Sequence, residues 1–391
     1  MRIALIGDFD TYLFRGLERP PALGQYRLSP GLNLARGFRE LGVKDLHFLV
    51  CTPEVKKATI DEGPFGVLHR VPQPKFSGSS SFFLWRRHLI LRQLKRIAPD
   101  IVHGQGTEEA YALTAVTSPY PHVITFHGII RRVHEIEPPP FFSLSHAARF
   151  AERVVVRKAR HVISISQEVE NFLHREHSSA LTYRIPNAMA PCFYEVQPAR
   201  DPSRFNLLYV GAIQPRKGLL HLVEALAIAQ PRLGKGLRLR VIGPAPGGAD
   251  AAYGESVRAR AAELNVAEQI EWMGVQRESG VAQALAASDV LVLPSFWENM
   301  PMCIGESMAA GVPVISTRAA GIPDWVEHGK TGLLVAPGES NELADAVVQL
   351  LSDAALSQRL ATAAQAKARA EYAPPVVAKK TLAVYERICG G

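Results

Sequence analysis

Short apolar runs rich in β-branched residues alternate along the chain with longer amphipathic segments. Runs at 2–7, 46–50, 101–103, 123–126 and 162–164 read as strands, and so do 207–210, 237–242, 270–273, 290–293 and 314–316. They are short, continuous and bounded by Gly or Pro, which is how strands buried on both faces of a parallel sheet look. Between them, apolar residues recur at helical spacing over 32–41, 82–97, 145–160, 167–173, 219–229, 253–264, 281–287, 342–352 and 354–372. Gly42 and Gly311 stand where helices stop, and Ser166 stands where one is capped. Strands alternating with helices predict an α/β chain with parallel sheets. The alternation breaks at 196–204, rich in Pro, Arg and Asp, and then restarts. That predicts two domains, 1–195 and 196–373, followed by a last helix over 376–388 after Pro374-Pro375, in a segment 374–391.

The stretch 289–316 organises the second half. Strand 290–293 ends at Pro294, a loop over 295–302 holds Glu298, and a helix begins near Ile304 with Glu306 in its first turn. Open α/β sheets bind ligands at the carboxyl ends of their strands, where this loop must lie. Two carboxylates there suit a polyhydroxylated ligand, because ionised carboxylates accept the hydrogen bonds that sugar hydroxyls donate. A second loop, after strand 207–210, carries Arg216-Lys217-Gly218 at a helix start. Two cations, backbone N–H groups and the helix dipole converge there as a site for an anion. Together the two loops offer a grip on a sugar and a grip on a phosphate. His127-Gly128 closes strand 123–126, another carboxyl end.

At 391 residues the chain exceeds one ordinary core and suits two domains. Cys51, Cys192, Cys303 and Cys389 are scattered without metal-ligand spacing, which fits a reducing compartment such as the cytoplasm and argues against a disulfide framework. Residues 1–7 read as a first strand, too short for a signal peptide, and no apolar stretch is long enough to span a membrane. Residues 1–195 hold 25 Lys and Arg against 18 Asp and Glu, whereas the remainder holds 19 of each, so the excess positive charge lies in the first half. That points either to an anionic partner, such as a diphosphate-linked acceptor or an acidic membrane surface, or to solubility alone. The segment 82–97 carries the same ambiguity. Phe83, Leu84, Ile90, Leu91 and Leu94 are expected on one face and Arg86, Arg87, Arg92, Lys95 and Arg96 on the other. It reads as an ordinary sheet-covering helix in preference to a membrane-surface one. The glycine-rich dinucleotide fingerprint is missing from the first loop, which ends near Pro30.

These motifs carry a family resemblance. Pro294-Ser295, Glu298, a second acid eight residues on at Glu306, and Met308-Ala309 with Gly311, Pro313 and Val314 resemble the signature of retaining GT-B glycosyltransferases of the family-4 type. Thr125-Phe126-His127-Gly128 looks like that family's Thr-x-His-Gly, and Gly321-Ile322-Pro323-Asp324 like its Gly-x-Pro-Glu. Departures are visible too. The family usually reads Glu-Gly-Phe-Gly where this chain has Glu298-Asn299-Met300-Pro301, and an Arg where it has Ala212. A paired glycine of the first loop is replaced by Gly24-Gln25-Tyr26, and Pro-Asn-Gly by Pro186-Asn187-Ala188.

The resemblance implies two Rossmann-like domains facing a cleft, with the last helix crossing back to the first domain. It implies a nucleotide-diphosphate sugar as substrate, an acceptor glycan or lipid-linked glycan, no separate cofactor, no metal and no nucleic acid. His127, Lys217 and Glu298 take the catalytic roles. The donor site then comprises Arg216, Lys217, Gly218, Val275, Glu298, Asn299, Met300, Pro301, Met302 and Glu306, with the backbone near Val275 reading the base and Glu306 holding the ribose. Two other readings of the residues stand beside it. Glu298 and Glu306 also suit the acid and nucleophile of a glycoside hydrolase, and the changes at Ala212, at Ala188 and in the first-loop glycines suit a non-catalytic sugar-nucleotide binder.

Overall fold

Parallel pairing of buried apolar strands builds both halves of the molecule. The structure, a computed structural model, describes residues 1–16, 30–73, 83–107, 109–136, 138, 145–244 and 251–390. Gly24-Gln25-Tyr26, the prolines at 139 and 140, and Gly247-Gly248 lie outside the described residues. The chain divides into two compact units, Met1–Ala188 with Pro374–Gly391, and Met189–Ala373.

In the first unit the strands are β1 (Ile3–Ile6), β2 (Leu46–Thr52), β3 (Thr59–Gly63), β4 (Gly66–Pro72), β5 (Ile101–Gln105), β6 (His122–Phe126), β7 (His161–Ser164) and β8 (Leu181–Arg184). They form one sheet in the order β3-β4-β2-β1-β5-β6-β7-β8, parallel except for β3 against β4. Successive residues of one strand enter opposite cores. Ile101 joins the layer of Leu32, Phe38 and Tyr385, and Val102 joins that of Ile90, Leu94 and Val155. This two-sided burial is why the strands read as unbroken apolar runs. The hairpin β3–β4 was not expected from the pattern, because Thr59–Gly63 is a polar edge strand with no fully buried residue.

The last helix, Pro374–Cys389, packs on helix Pro30–Glu40 inside this first unit. Gly37 permits the approach, since a Cβ there would strike the carbonyl of Pro374. Ser166 caps its helix as expected, accepting from the Val169 N–H at 3.3 Å.

Helix Leu84–Ile97 covers β2 and β4, but not with the expected faces. Leu84 and Trp85 are exposed, at 63% and 61%, whereas Arg86 is buried and paired with Glu109. An inward arginine with its own carboxylate displaced the helix rotation that apolar spacing alone suggested.

In the second unit β9 (Arg204–Val210), β10 (Gly236–Ile242), β11 (Ile270–Gly274), β12 (Val290–Leu293), β13 (Val314–Thr317) and β14 (Leu333–Val335) run parallel in the order β11-β10-β9-β12-β13-β14. Numbered within the unit, this is 3-2-1-4-5-6, the doubly wound order of dinucleotide-binding folds. The unit starts at Met189 and not at 196, because the turn Pro191–Glu195 packs on helices Glu278–Ala286 and Met302–Ala309.

Candidate functional site

The order of strands in the second unit reverses between β9 and β12, which are direct neighbours, with Leu207 opposite Val290. The loops leaving these two strands therefore rise side by side at the switch point. They are the Arg-Lys loop and the Glu298 loop.

After β9 a 3-10 turn, Pro215–Lys217, leads into helix Leu219–Ala229. Gly218 joins them at φ 70°, and a Cβ there would strike the carbonyl oxygen of Pro294. Only glycine serves at such a position. The Phe296 N–H donates to the carbonyl of Arg216 at 2.8 Å, so the loops share a backbone bond.

Glu298 is 6% exposed and collects the donors. Its Oε1 is bonded to Lys217 Nζ, accepts from Ser295 Oγ at 3.0 Å, and lies 3.6 Å from Arg216 Nη1. The carbonyl of Glu298 accepts from the Gly321 N–H at 2.9 Å, which ties the loop to the segment after β13. Two cations and one acid thus meet where the sequence placed separate phosphate and sugar grips. Arg216 stands in this cluster, whereas Ala212, at the position of the family's Arg, brings no charge, and its carbonyl accepts from Tyr209 Oη and from the Gln214 N–H. Asn299, Met300 and Pro301 are buried and Met302 half-buried.

Glu306 departs from expectation. The helix starts at Met302, so Glu306 is its fifth residue, beyond the first turn where the dipole would help a carboxylate. It is 1% exposed, and burial, with Glu278 adding a like charge, raises its pKa to about 8. At neutral pH it is largely a neutral acid, able to donate as well as accept. Its Oε2 is buried with no hydrogen-bond partner among the described residues. Such an orphan in a loop-lined site calls for a ligand. Cys303 lies within the electrostatic reach of Lys217, Glu298 and Glu306, which places all four groups in one neighbourhood, and burial pushes its thiol up. Glu278 opens helix Glu278–Ala286, a few residues past Gly274 and the exposed Val275, so the β11 loop borders Glu306 as well.

The helix amides behave less simply than the sequence suggested. The Leu220 N–H donates to Tyr253 Oη at 3.1 Å. Tyr253, from helix Ala251–Glu263, was not among the expected site residues, because nothing local marks a tyrosine 33 residues away as a helix cap.

His127 belongs to the first unit, at the end of β6. Its Nε2 is 2.7 Å from Gln105 Oε1, and burial lowers its pKa to about 4. At the end of β5, His103 carries only a strand signal in the sequence and Gln105 none. Among the described residues no group of three or more His, Cys, Asp or Glu side chains is placed to hold a metal, and no helix is long and apolar enough to cross a membrane.

A family model described as Glycosyltransferase Family 4 matches residues 32–190, and one described as Glycosyl transferases group 1 matches residues 204–353. Alpha-maltose-1-phosphate synthase of Mycobacterium tuberculosis is 28% identical over 319 residues, 75% of this chain and 80% of that protein. Alpha-D-kanosaminyltransferase of Streptomyces kanamyceticus is 26% identical over 322 residues, 76% of this chain and 81% of its own. Among solved structures, a sucrose-phosphate synthase from Thermosynechococcus elongatus superposes with a TM-score of 0.79 at 19% identity, over 100% of this chain and 99% of its own. The Anabaena protein HepE, solved with UDP and glucose, superposes with a TM-score of 0.75 at 19% identity, over 99% of this chain and 100% of its own.

Proposed function

The chain belongs to the glycosyltransferases of group 1, family-4 type, and has their GT-B fold, and from that premise we propose that it moves a sugar from a nucleotide-diphosphate sugar to an acceptor glycan or lipid-linked glycan, with retention at the anomeric carbon. The observation that carries this reading is the meeting of Arg216, Lys217 and Glu298 at the switch point, beside the orphaned carboxyl of Glu306. The UDP and glucose bound by the Anabaena neighbour support a nucleotide diphosphate as the donor's carrier.

In this reading the bond from the anomeric carbon to the diphosphate breaks, a bond to an acceptor hydroxyl oxygen forms on the same face, and the proton of that hydroxyl passes to the departing diphosphate. Charge grows on the departing diphosphate. Lys217 and Arg216 face it from a preorganised, half-buried turn, where cations stabilise developing charge without reorganising, and no metal is assigned a part. Glu298 accepts from hydroxyls of the transferred sugar and stabilises positive charge at its anomeric carbon. Glu306, neutral at pH 7, both donates to and accepts from the ribose hydroxyls. The backbone beside Val275 meets the base, and the run Asn299–Met302 forms the wall between the two acids. His127 is assigned to the sugar or acceptor on the family resemblance.

The test is incubation of the full chain with a panel of nucleotide-diphosphate sugars, with and without acceptors, following released nucleoside diphosphate and the anomer formed. Acceptor-dependent release with a retained anomer is expected. Degradation of an oligosaccharide with no nucleotide present would establish a hydrolase instead, and tight nucleotide binding without transfer across the panel a binding protein.

A further inference from the structure

The first sheet has an amino edge that the candidate site does not use. Strands β6 and β7 begin there, at His122 and His161, and the helices Ala110–Val116, Ser145–Lys158 and Pro374–Cys389 end there. Together they enclose a cleft of about 780 Å³, whose lining includes Arg157, Lys158, Arg160, His122, His161 and Ile388. At about 3.3 Å per residue, strand β6 separates His122 in the cleft from His127 at the opposite edge by roughly 16 Å.

The charge of this cleft has one sign. Among the described residues no carboxylate lines it, and Arg157, Lys158 and Arg160 make no ion pair. By contrast Arg70, Arg131 and Arg184 of the same unit each face a carboxylate. Arg387, next to Ile388 and 5.9 Å from the centre of the Tyr183 ring, adds a fourth cation. Arg157 and Lys158 stand in the last turn of their helix, where cations suit the dipole. The dipoles do not use up the charge, however. Each of the three helix C-termini carries roughly half a negative charge, so together they offset less than half of four cations. Part of the positive excess of residues 1–195 is thus gathered on one concave wall, which focuses its field on an anion.

The size and rim of the cleft narrow the ligand. Its volume falls in the range of small-molecule sites, about 300–1,000 Å³, and exceeds what a bare phosphate fills. None of the exposed large apolar side chains among the described residues lines it, so it offers no anchor to bury in a bilayer.

We propose that this cleft is a second anion site, in which Arg157, Lys158 and Arg160 take the phosphate groups of a small soluble molecule such as a sugar phosphate or a diphosphate. It lies wholly in the first unit and needs none of the residues assigned to sugar transfer.

The test is calorimetric titration of the full chain at low ionic strength with glucose 6-phosphate and with inorganic diphosphate. The comparison is a double variant, Lys158→Glu with Arg160→Glu, which changes two exposed side chains and spares the packing. Affinity for glucose 6-phosphate should fall by about 10-fold or more in the variant, the scale of a lost charge-assisted hydrogen bond. For diphosphate, one binding event should be lost and any event at the Arg-Lys loop kept, with Tm unchanged. Added salt should weaken the wild-type binding. Equal affinities in the two proteins, or no saturable binding of either probe to the wild type, overturns the proposal.

Ring-proton NMR locates the anion. Burial is the largest cause of the lowered pKa of both His122 and His161, and the side-chain charges that bear on them, from His122, Arg160 and Arg387, are all positive. An anion in the cleft should therefore raise the titration midpoint of His161, whose signal is assigned by its loss in His161→Gln. A midpoint unmoved by saturating diphosphate puts the anion elsewhere and overturns the proposal. Vesicles of phosphatidylglycerol, beside vesicles of phosphatidylcholine, test the other source of phosphate. Binding to the anionic vesicles alone, abolished in the double variant and unmatched by either soluble probe, would make the ligand a lipid headgroup and overturn the soluble one.

Discussion

The backbone N–H of Phe296 donates to the carbonyl of Arg216 at 2.8 Å, joining two loops that are 80 residues apart in sequence. One loop brings the cations and the other the acid. Because they are tied through the main chain, side chains at 216, 217 and 298 can be changed without separating the loops. Their variants therefore report on chemistry.

Lys217→Ala should lower turnover by about 10²-fold, comparable to the loss of one preorganised donor. Its Tm should also fall, since Glu298 keeps its buried charge without its nearest cation. Steady-state kinetics beside thermal denaturation checks both. Near-normal turnover would remove Lys217 from the mechanism.

Combining that change with Glu298→Gln should restore part of the lost stability, because a neutral amide needs no cation. The expected coupling is about 1–3 kcal/mol in a double-mutant cycle followed by denaturant unfolding. Strict additivity would mean that the ion pair contributes nothing.

Gly218→Ala forces a Cβ against the carbonyl of Pro294 at a left-handed backbone position. Nucleoside diphosphate affinity should drop 10-fold or more and Tm should fall with it, by calorimetry and thermal shift. Unchanged affinity would show that the turn tolerates a shift between the loops.

Glu306 makes stability depend on pH. Its folded pKa, about 8, lies above the ordinary value of 4.5, so between these two pH values the folded chain holds a proton that the unfolded chain has released. The contribution is fully present below about pH 4.5, is lost as pH rises towards 8, and is flat beyond. Glu306→Gln removes the dependence, at most about 1.4 kcal/mol for each pH unit crossed. The Tm of the variant should gain on the wild type from pH 5 to 8. Parallel curves would mean that Glu306 ionises normally in the fold.

Much of this architecture is legible in the residues, for local reasons. Val290–Leu293 is apolar on both faces, and helix Leu219–Ala229 has an uninterrupted apolar stripe after Gly218, so the elements that carry the site stand out. The neighbourhood of Arg216, Lys217 and Glu298 follows from strand order at a switch point. What was missed depends on partners far along the chain. Arg86 turns inward because Glu109 is there, Glu306 holds its proton because its surroundings are dry, and Tyr253 reaches Leu220 from another helix. His103 looked like one more strand residue until a tyrosine 282 positions later came to meet it.

The return of Pro374–Cys389 to the first unit sets an order on biosynthesis. A ribosome delivers all of Met189–Ala373 before it delivers Val377, Val384 and Tyr385, which complete the core around Leu32 and Phe38. The half whose translation starts earliest is thus the last that can close. Until then a nascent chain leaves the apolar face of helix Pro30–Glu40 without its cover, the kind of surface that makes a folding intermediate prone to aggregate.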